Sequence, residues 1–130
     1  MNALVSRLLD RLRTHRMVRN VRIVTYDETP TGKFEIKIRC RLVPRHQLQG
    51  WLHAGPSLLD YSYQLFSDCP IWRWDNAPHY PYISSAPNHF HDEQGKILES
   101  DLTGNPDIDL PIVLSAIEKW FTDQWGTAGF

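Results

Sequence analysis

The sequence is poor in cysteine: it holds two, Cys40 and Cys69, and they match no metal-ligand spacing. Both are expected as reduced thiols packed into the fold of a cytosolic protein. Long hydrophobic runs are also missing. No apolar segment approaches the roughly 20 residues that a membrane-spanning helix requires. The N-terminal stretch MNALVSRLLDRLRTHR interrupts its apolar residues with arginines, so it has neither the continuous apolar segment nor the small-residue cleavage site of a signal peptide. These absences lead to an expectation of a cytoplasmic protein with no membrane partner. There is no Gly-rich phosphate-cradling loop and no nucleophile elbow. Internal repeats and low-complexity tracts are absent as well.

What is present fits an ordinary globular chain, with 42% hydrophobic, 12% aromatic and 22% charged residues. A length of 130 residues predicts one domain over 1–130 with a core of useful size. The net charge of −1 conceals a polarity. Residues 1–45 carry +7 and residues 46–130 carry −8, counting histidine as neutral. Such an asymmetry suggests nucleic acid or an acidic partner, or two halves that neutralise each other in the fold.

Leu4, Val5, Leu8, Leu9 and Leu12 recur at helical spacing, with Arg7, Arg11 and Arg13 off the stripe. VRIVTY (21–26) and KFEIKIRCRLV (33–43) alternate and are joined by DETPTG, which predicts a hairpin. In the second strand Phe34, Ile36, Ile38, Cys40 and Leu42 share one face, and Glu35, Lys37, Arg39 and Arg41 the other. Residues 44–57, with Pro44, Gly50, Gly55 and Pro56, read as an irregular loop. LLDYSYQLF (58–66) and PIWRWDNA (70–77) predict a second hairpin, with Trp72 and Trp74 inward and Arg73 and Asp75 outward. NHFHDE (88–93) supplies a short fifth strand. A final helix is expected with Asp109 as N-cap, Pro111 in its first turn and Gly126 as its stop. The resulting fold class is α+β: an antiparallel sheet of four to five strands with the N- and C-terminal helices on one face. The other face would carry Lys37, Arg39, Arg41, Arg73, Asp75, His89 and His91.

RWDNAPHYPYISSAPNHFH (73–91) concentrates three of the six histidines beside an Arg-x-Asp-Asn run. Three readings account for it. In the first, two of His79, His89 and His91 act as general base and general acid in RNA phosphodiester cleavage. Arg73 then holds the phosphate and Asp75 orients a histidine. Lys37, Arg39, Arg41 and Asn76 would bind the nucleic acid, and no cofactor or metal is required. In the second, His89 and His91 share a strand face and ligate a metal with His79 or Asp75. In the third, the histidines only close loops by hydrogen bonds, and the polar face grips nucleic acid or protein without cutting. His15, His46 and His53 have no comparable neighbours and read as structural. Tyr80 and Tyr82 read as packing under the loop, with base stacking as the alternative.

The two runs together resemble the TumE-like toxins of bacterial toxin–antitoxin pairs. That family carries an Arg-aromatic-Asp-Asn-x-Pro-His run and then a Pro-x-His-x-His run. Here they are Arg73, Trp74, Asp75, Asn76, Pro78 and His79, then Pro87, His89 and His91. The resemblance is strongest from Tyr61 to His91. Where members often have a second histidine after the Pro-His pair, this chain has Tyr80. The resemblance implies a small cytoplasmic toxin neutralised by a cognate helix-turn-helix antitoxin. RNA is the expected target, and self-association into a homodimer is a candidate assembly.

Overall fold

A computed structural model describes residues 2–126. It has two helices, α1 (Ala3–Thr14) and α2 (Pro106–Trp125), and seven strands. The strands are β1 (Val18–Glu28), β2 (Phe34–Leu42), β3 (His46–Ala54), β4 (Leu59–Phe66), β5 (Pro70–Asp75), β6 (His89–His91) and β7 (Ile97–Glu99). Each strand pairs antiparallel with the next, giving one meander in the order β1 to β7. The α+β class with both terminal helices is as expected, but the sheet has seven strands rather than four to five. No helix among the described residues is long and apolar enough to cross a membrane.

Alternation sorts the sheet into two faces. Ile36, Ile38 and Cys40 of β2, Leu48 and Leu52 of β3, and Tyr61, Tyr63 and Leu65 of β4 are buried on one of them. Trp74 is buried with them, and Trp72 and Phe90 pack against the cluster. Leu8 and Leu12 of α1 and Leu110 of α2 cover this face over Ile38, Cys40 and Tyr63. α1 begins at Asn2, whose Oδ1 accepts the Leu4 amide at 2.8 Å. The helices are tied together by Arg7, which holds Asp107 through two hydrogen bonds of 3.1 and 2.9 Å. Glu118 adds contacts to Arg16 and to His15. Part of the basic first half is thereby matched by acids of α2.

Several expectations are corrected. Residues 44–57 are not an irregular loop, because β3 occupies His46–Ala54. His46, Leu48 and Leu52 are buried, while Gln47, Gln49, Trp51 and His53 alternate with them. His46 fills core space against Trp120 and Phe121, at centroid distances of 5.7 and 4.8 Å. Cys40 is buried, and burial pushes its thiol up to about 12, but Cys69 is exposed at the β4–β5 turn rather than packed. Tyr82 stands in solvent at 75% exposure. Helix α2 starts earlier than expected, with Asn105 as N-cap and Pro111 in its interior; Gly126 closes it as expected, at φ 71°.

Asp109 is therefore no N-cap. It is fully buried and turns back to accept from the Thr103 amide (2.8 Å), the Thr103 hydroxyl (2.9 Å) and the Gly104 amide (2.8 Å). These charge-assisted bonds fix the loop that feeds α2. Asp109→Ala removes all three acceptor contacts. Its expected cost is about 3 kcal/mol, or roughly 10 °C in Tm, readable by thermal unfolding.

Candidate functional site

The site is built by two cross-strand pairs. Arg73 lies opposite His91, and Asp75 opposite His89, with Trp74 opposite Phe90 between them. Trp74 and Phe90 point to the core and pack at 4.9 Å between centroids. Their burial fixes the register, because a one-residue slip of β6 along β5 would turn Phe90 to the open face and away from Trp74. The four polar side chains therefore emerge together on the open face.

Asp75 is 7% exposed and is the hub. Its Oδ1 accepts the Ala77 amide at 3.0 Å and lies 2.9 Å from His89 Nε2. Its Oδ2 accepts Arg73 Nε at 2.8 Å and lies 3.3 Å from His91 Nε2. Arg73 Nη2 also reaches His91 Nε2, at 3.1 Å. Arg73 Nη1 makes no hydrogen bond among the described residues.

The two strand histidines differ sharply. His89 is 1% exposed. Its Nδ1 donates to the Pro87 carbonyl at 3.0 Å. Its Nε2 sits beside Asp75 without an aligned hydrogen bond, so this contact is one of position and charge. The Tyr80 ring closes over it at 4.7 Å. His91 is more open. Its Nε2 meets an acceptor, Asp75 Oδ2, and a donor, Arg73 Nη2, so that nitrogen has a partner whether or not it carries a proton. Its Nδ1 makes no hydrogen bond among the described residues, and the ring lines a hollow beside Arg73. Burial, and then the Arg73 charge, lower the His91 pKa from its ordinary value, outweighing Asp75.

A groove of about 500 Å³ opens here, lined by Arg73, Asp75, His79, Tyr80, His89 and Trp51, among others. His79 is exposed on the turn after β5, at the rim. Asn76 belongs to the scaffold by its contacts. Its Nδ2 donates to the Leu59 carbonyl at 2.7 Å and its Oδ1 accepts the Tyr61 amide at 3.0 Å, which ties β5 to the start of β4. Lys37, Arg39 and Arg41 lie on β2 across the sheet, outside the groove lining. Arg39 donates to Gln49 Oε1 from Nε (3.0 Å) and Nη2 (2.6 Å), and Arg41 lines a separate hollow with Arg22 and Arg45. Sequence reasoning missed Trp51 and Ser62. Trp51 lay in the stretch read as a loop, although QLQGWLH carries the period-two signal.

Asp75, His89 and His91 also present ligand atoms within 4.8 Å of one another. The His89 Nδ1–carbonyl bond is the arrangement that orients a metal-binding imidazole. However, the Arg73 guanidinium bonds to both Asp75 and His91, and so sets a positive charge where a cation would share those ligands.

The lowered His91 pKa links the site to stability. In the unfolded chain the ring takes up a proton near pH 6.5; in the fold it does so only at lower pH. Its contribution to stability is complete above about 6.5 and is lost as pH falls through the lowered value. His91→Gln is expected to show a smaller decline of Tm between pH 7 and 5 than the parent, by thermal unfolding across buffers.

The family model described as Toxin TumE matches residues 7–121. No curated protein and no solved structure gives a significant match. The matched range extends well beyond the two polar runs, from α1 to near the end of α2. The chain belongs to the TumE toxin family.

Proposed function

We propose that this toxin is an endoribonuclease that works without a metal cofactor, through His91, Arg73 and His79. One observation carries the reading: a single buried carboxylate, Asp75, holds both Arg73, which lines the open groove and the hollow beside it, and a neutral-leaning histidine, His91, which lines that adjoining hollow. Arg73 Nε stays on Asp75, and its Nη atoms bind the phosphate. Once Nη2 leaves His91, the His91 Nε2–H is held by Asp75 Oδ2 and Nδ1 becomes the base, as in other Asp–His arrangements. Nδ1 removes the proton of a ribose 2′-hydroxyl. The 2′-oxygen bonds to phosphorus, the bond from phosphorus to the 5′-oxygen breaks, and His79 gives that oxygen a proton. The products are a 2′,3′-cyclic phosphate and a 5′-hydroxyl. Arg73 offsets the charge that gathers on the phosphate in the transition state. His89, 1% exposed beneath the Tyr80 ring, is given the role of a positioning residue for Asp75. The family supports an antitoxin partner in general; a cognate helix-turn-helix antitoxin acting in the cytoplasm is our reading of the sequence resemblance.

The test is cleavage of a defined RNA by purified protein in chelator, with analysis of the product ends. His91→Ala and Arg73→Ala are each expected to lower the rate on the order of a hundredfold or more while unfolding cooperatively. Because His91 must be neutral to act, the acid limb of the rate profile should fall below pH 6.5, the side to which its pKa is moved. Folded variants that cut at the parent rate would overturn the mechanism. A requirement for added metal would return Asp75, His89 and His91 to the role of ligands. Binding without cleavage by the parent would leave a non-catalytic nucleic-acid module.

A further inference from the structure

We infer that the RNA is unpaired at the cleavage point, and that Trp51 is the platform on which one of its bases stacks. The inference rests on the ribonuclease reading and adds a substrate class and a residue to it. Trp51 is unlike the other sheet tryptophans. Trp74 belongs to the hydrophobic core and Trp72 packs against it, which explains both; Trp51 belongs to neither group. It stands half-buried on the open face, in a lateral row that runs Lys37, Trp51, Ser62, Asp75, His89. Two strand spacings, about 10 Å, separate it from Asp75. It lines the same groove as Arg73, His79 and Tyr80.

The indole is held in place. Its Nε1 donates to Glu35 Oε1 at 2.9 Å, and its ring stacks with His53 at 6.1 Å and 23°. A ring fixed at its edge and supported by a neighbour is a preorganised stacking surface. The next row supplies a track for phosphates. It runs Arg22, Arg39, Gln49, Gln64, Arg73, His91, so that cations stand at both ends of a neutral polar stretch. Arg22, Lys37 and Arg39 pair with no carboxylate among the described residues, which leaves their charge to a polyanion. Backbone on the cation row and a base on the neighbouring aromatic row is the arrangement of a single-strand site. A duplex keeps its bases stacked on one another and has none to give to Trp51.

The experiment uses the full chain and a 5′-labelled RNA of about ten nucleotides, free or annealed to its complement. Binding is measured by anisotropy on a 2′-deoxy version, which lacks the attacking hydroxyl; cleavage is measured on the ribose form. The single strand should bind at least about tenfold more tightly than the duplex. Trp51→Ala should weaken binding about tenfold and raise KM with kcat held. Trp51→Leu keeps the bulk without the π-face and should lose affinity likewise, whereas Trp51→Phe should retain most of it. This pair decides the question if the alanine variant does not fold. Parent affinity in a folded Trp51→Ala or Trp51→Leu, with cleavage intact, overturns the stacking role and leaves the ribonuclease reading standing. Equal or tighter binding of the duplex overturns the unpaired substrate alone. A parent protein that neither binds nor cuts any RNA overturns the ribonuclease reading, and this inference with it.

Discussion

The buried carboxylate of Asp75 is the constraint on which the open face depends. A charge at 7% exposure is tolerable only with partners, because desolvation of an unpaired carboxylate costs several kcal/mol. Asp75 has an arginine on one oxygen and a backbone amide on the other, with an imidazole beside each. Those partners come from three different places: its own strand, the turn that follows it, and β6. Satisfying Asp75 therefore locks β6 onto β5 from the polar side, just as Trp74 and Phe90 lock it from the apolar side. One register serves both faces, which is why so short a strand as β6 can hold a site.

The charge polarity of the sequence resolves into two physical arrangements. Part of it is internal neutralisation, since arginines of α1 and its following turn meet Asp107 and Glu118 of α2. Exposed pairs of this kind add little stability. Another part stands on β1 and β2, where Arg39 and Arg41 face Gln49 and Gln47, Lys37 faces Trp51 and Arg22 faces Arg39, none of them an acid. On the open face, then, the cations of β1 and β2 lack the carboxylate partner that Arg73 has in Asp75.

Much of this was legible in residue order. Strict alternation exposed the two faces of β2 and β5, and the same rule placed His89 opposite to Phe90. What failed did so for local reasons. β3 was hidden because Gly50 and the flanking prolines look like loop chemistry, while its glutamines dilute the apolar signal. β7 has three residues, too few for periodicity to show. Asp109 looks like a cap because it precedes an apolar run; its real partners lie upstream, at Thr103 and Gly104, and only the folded loop brings them to it. The His-x-His spacing could not reveal that one ring is sealed and the other open.

That difference is what separates the roles of the two rings in the proposed function. His89, 1% exposed and roofed by Tyr80, takes the positioning role in the proposed reading. His91 shares the carboxylate but keeps a free nitrogen and a lowered pKa. Tyr80 lays a phenol ring over His89, His79 stands at the rim of the groove, and His91 lines the adjoining hollow with Arg73. The proposed base, held by Asp75, and the proposed acid, at the exposed rim, differ in setting: one is tuned by its neighbours, the other open to solvent. In the proposed mechanism Arg73 links the two, because it lines both hollows and the same guanidinium that lowers the His91 pKa is the cation that an RNA phosphate would draw away from it.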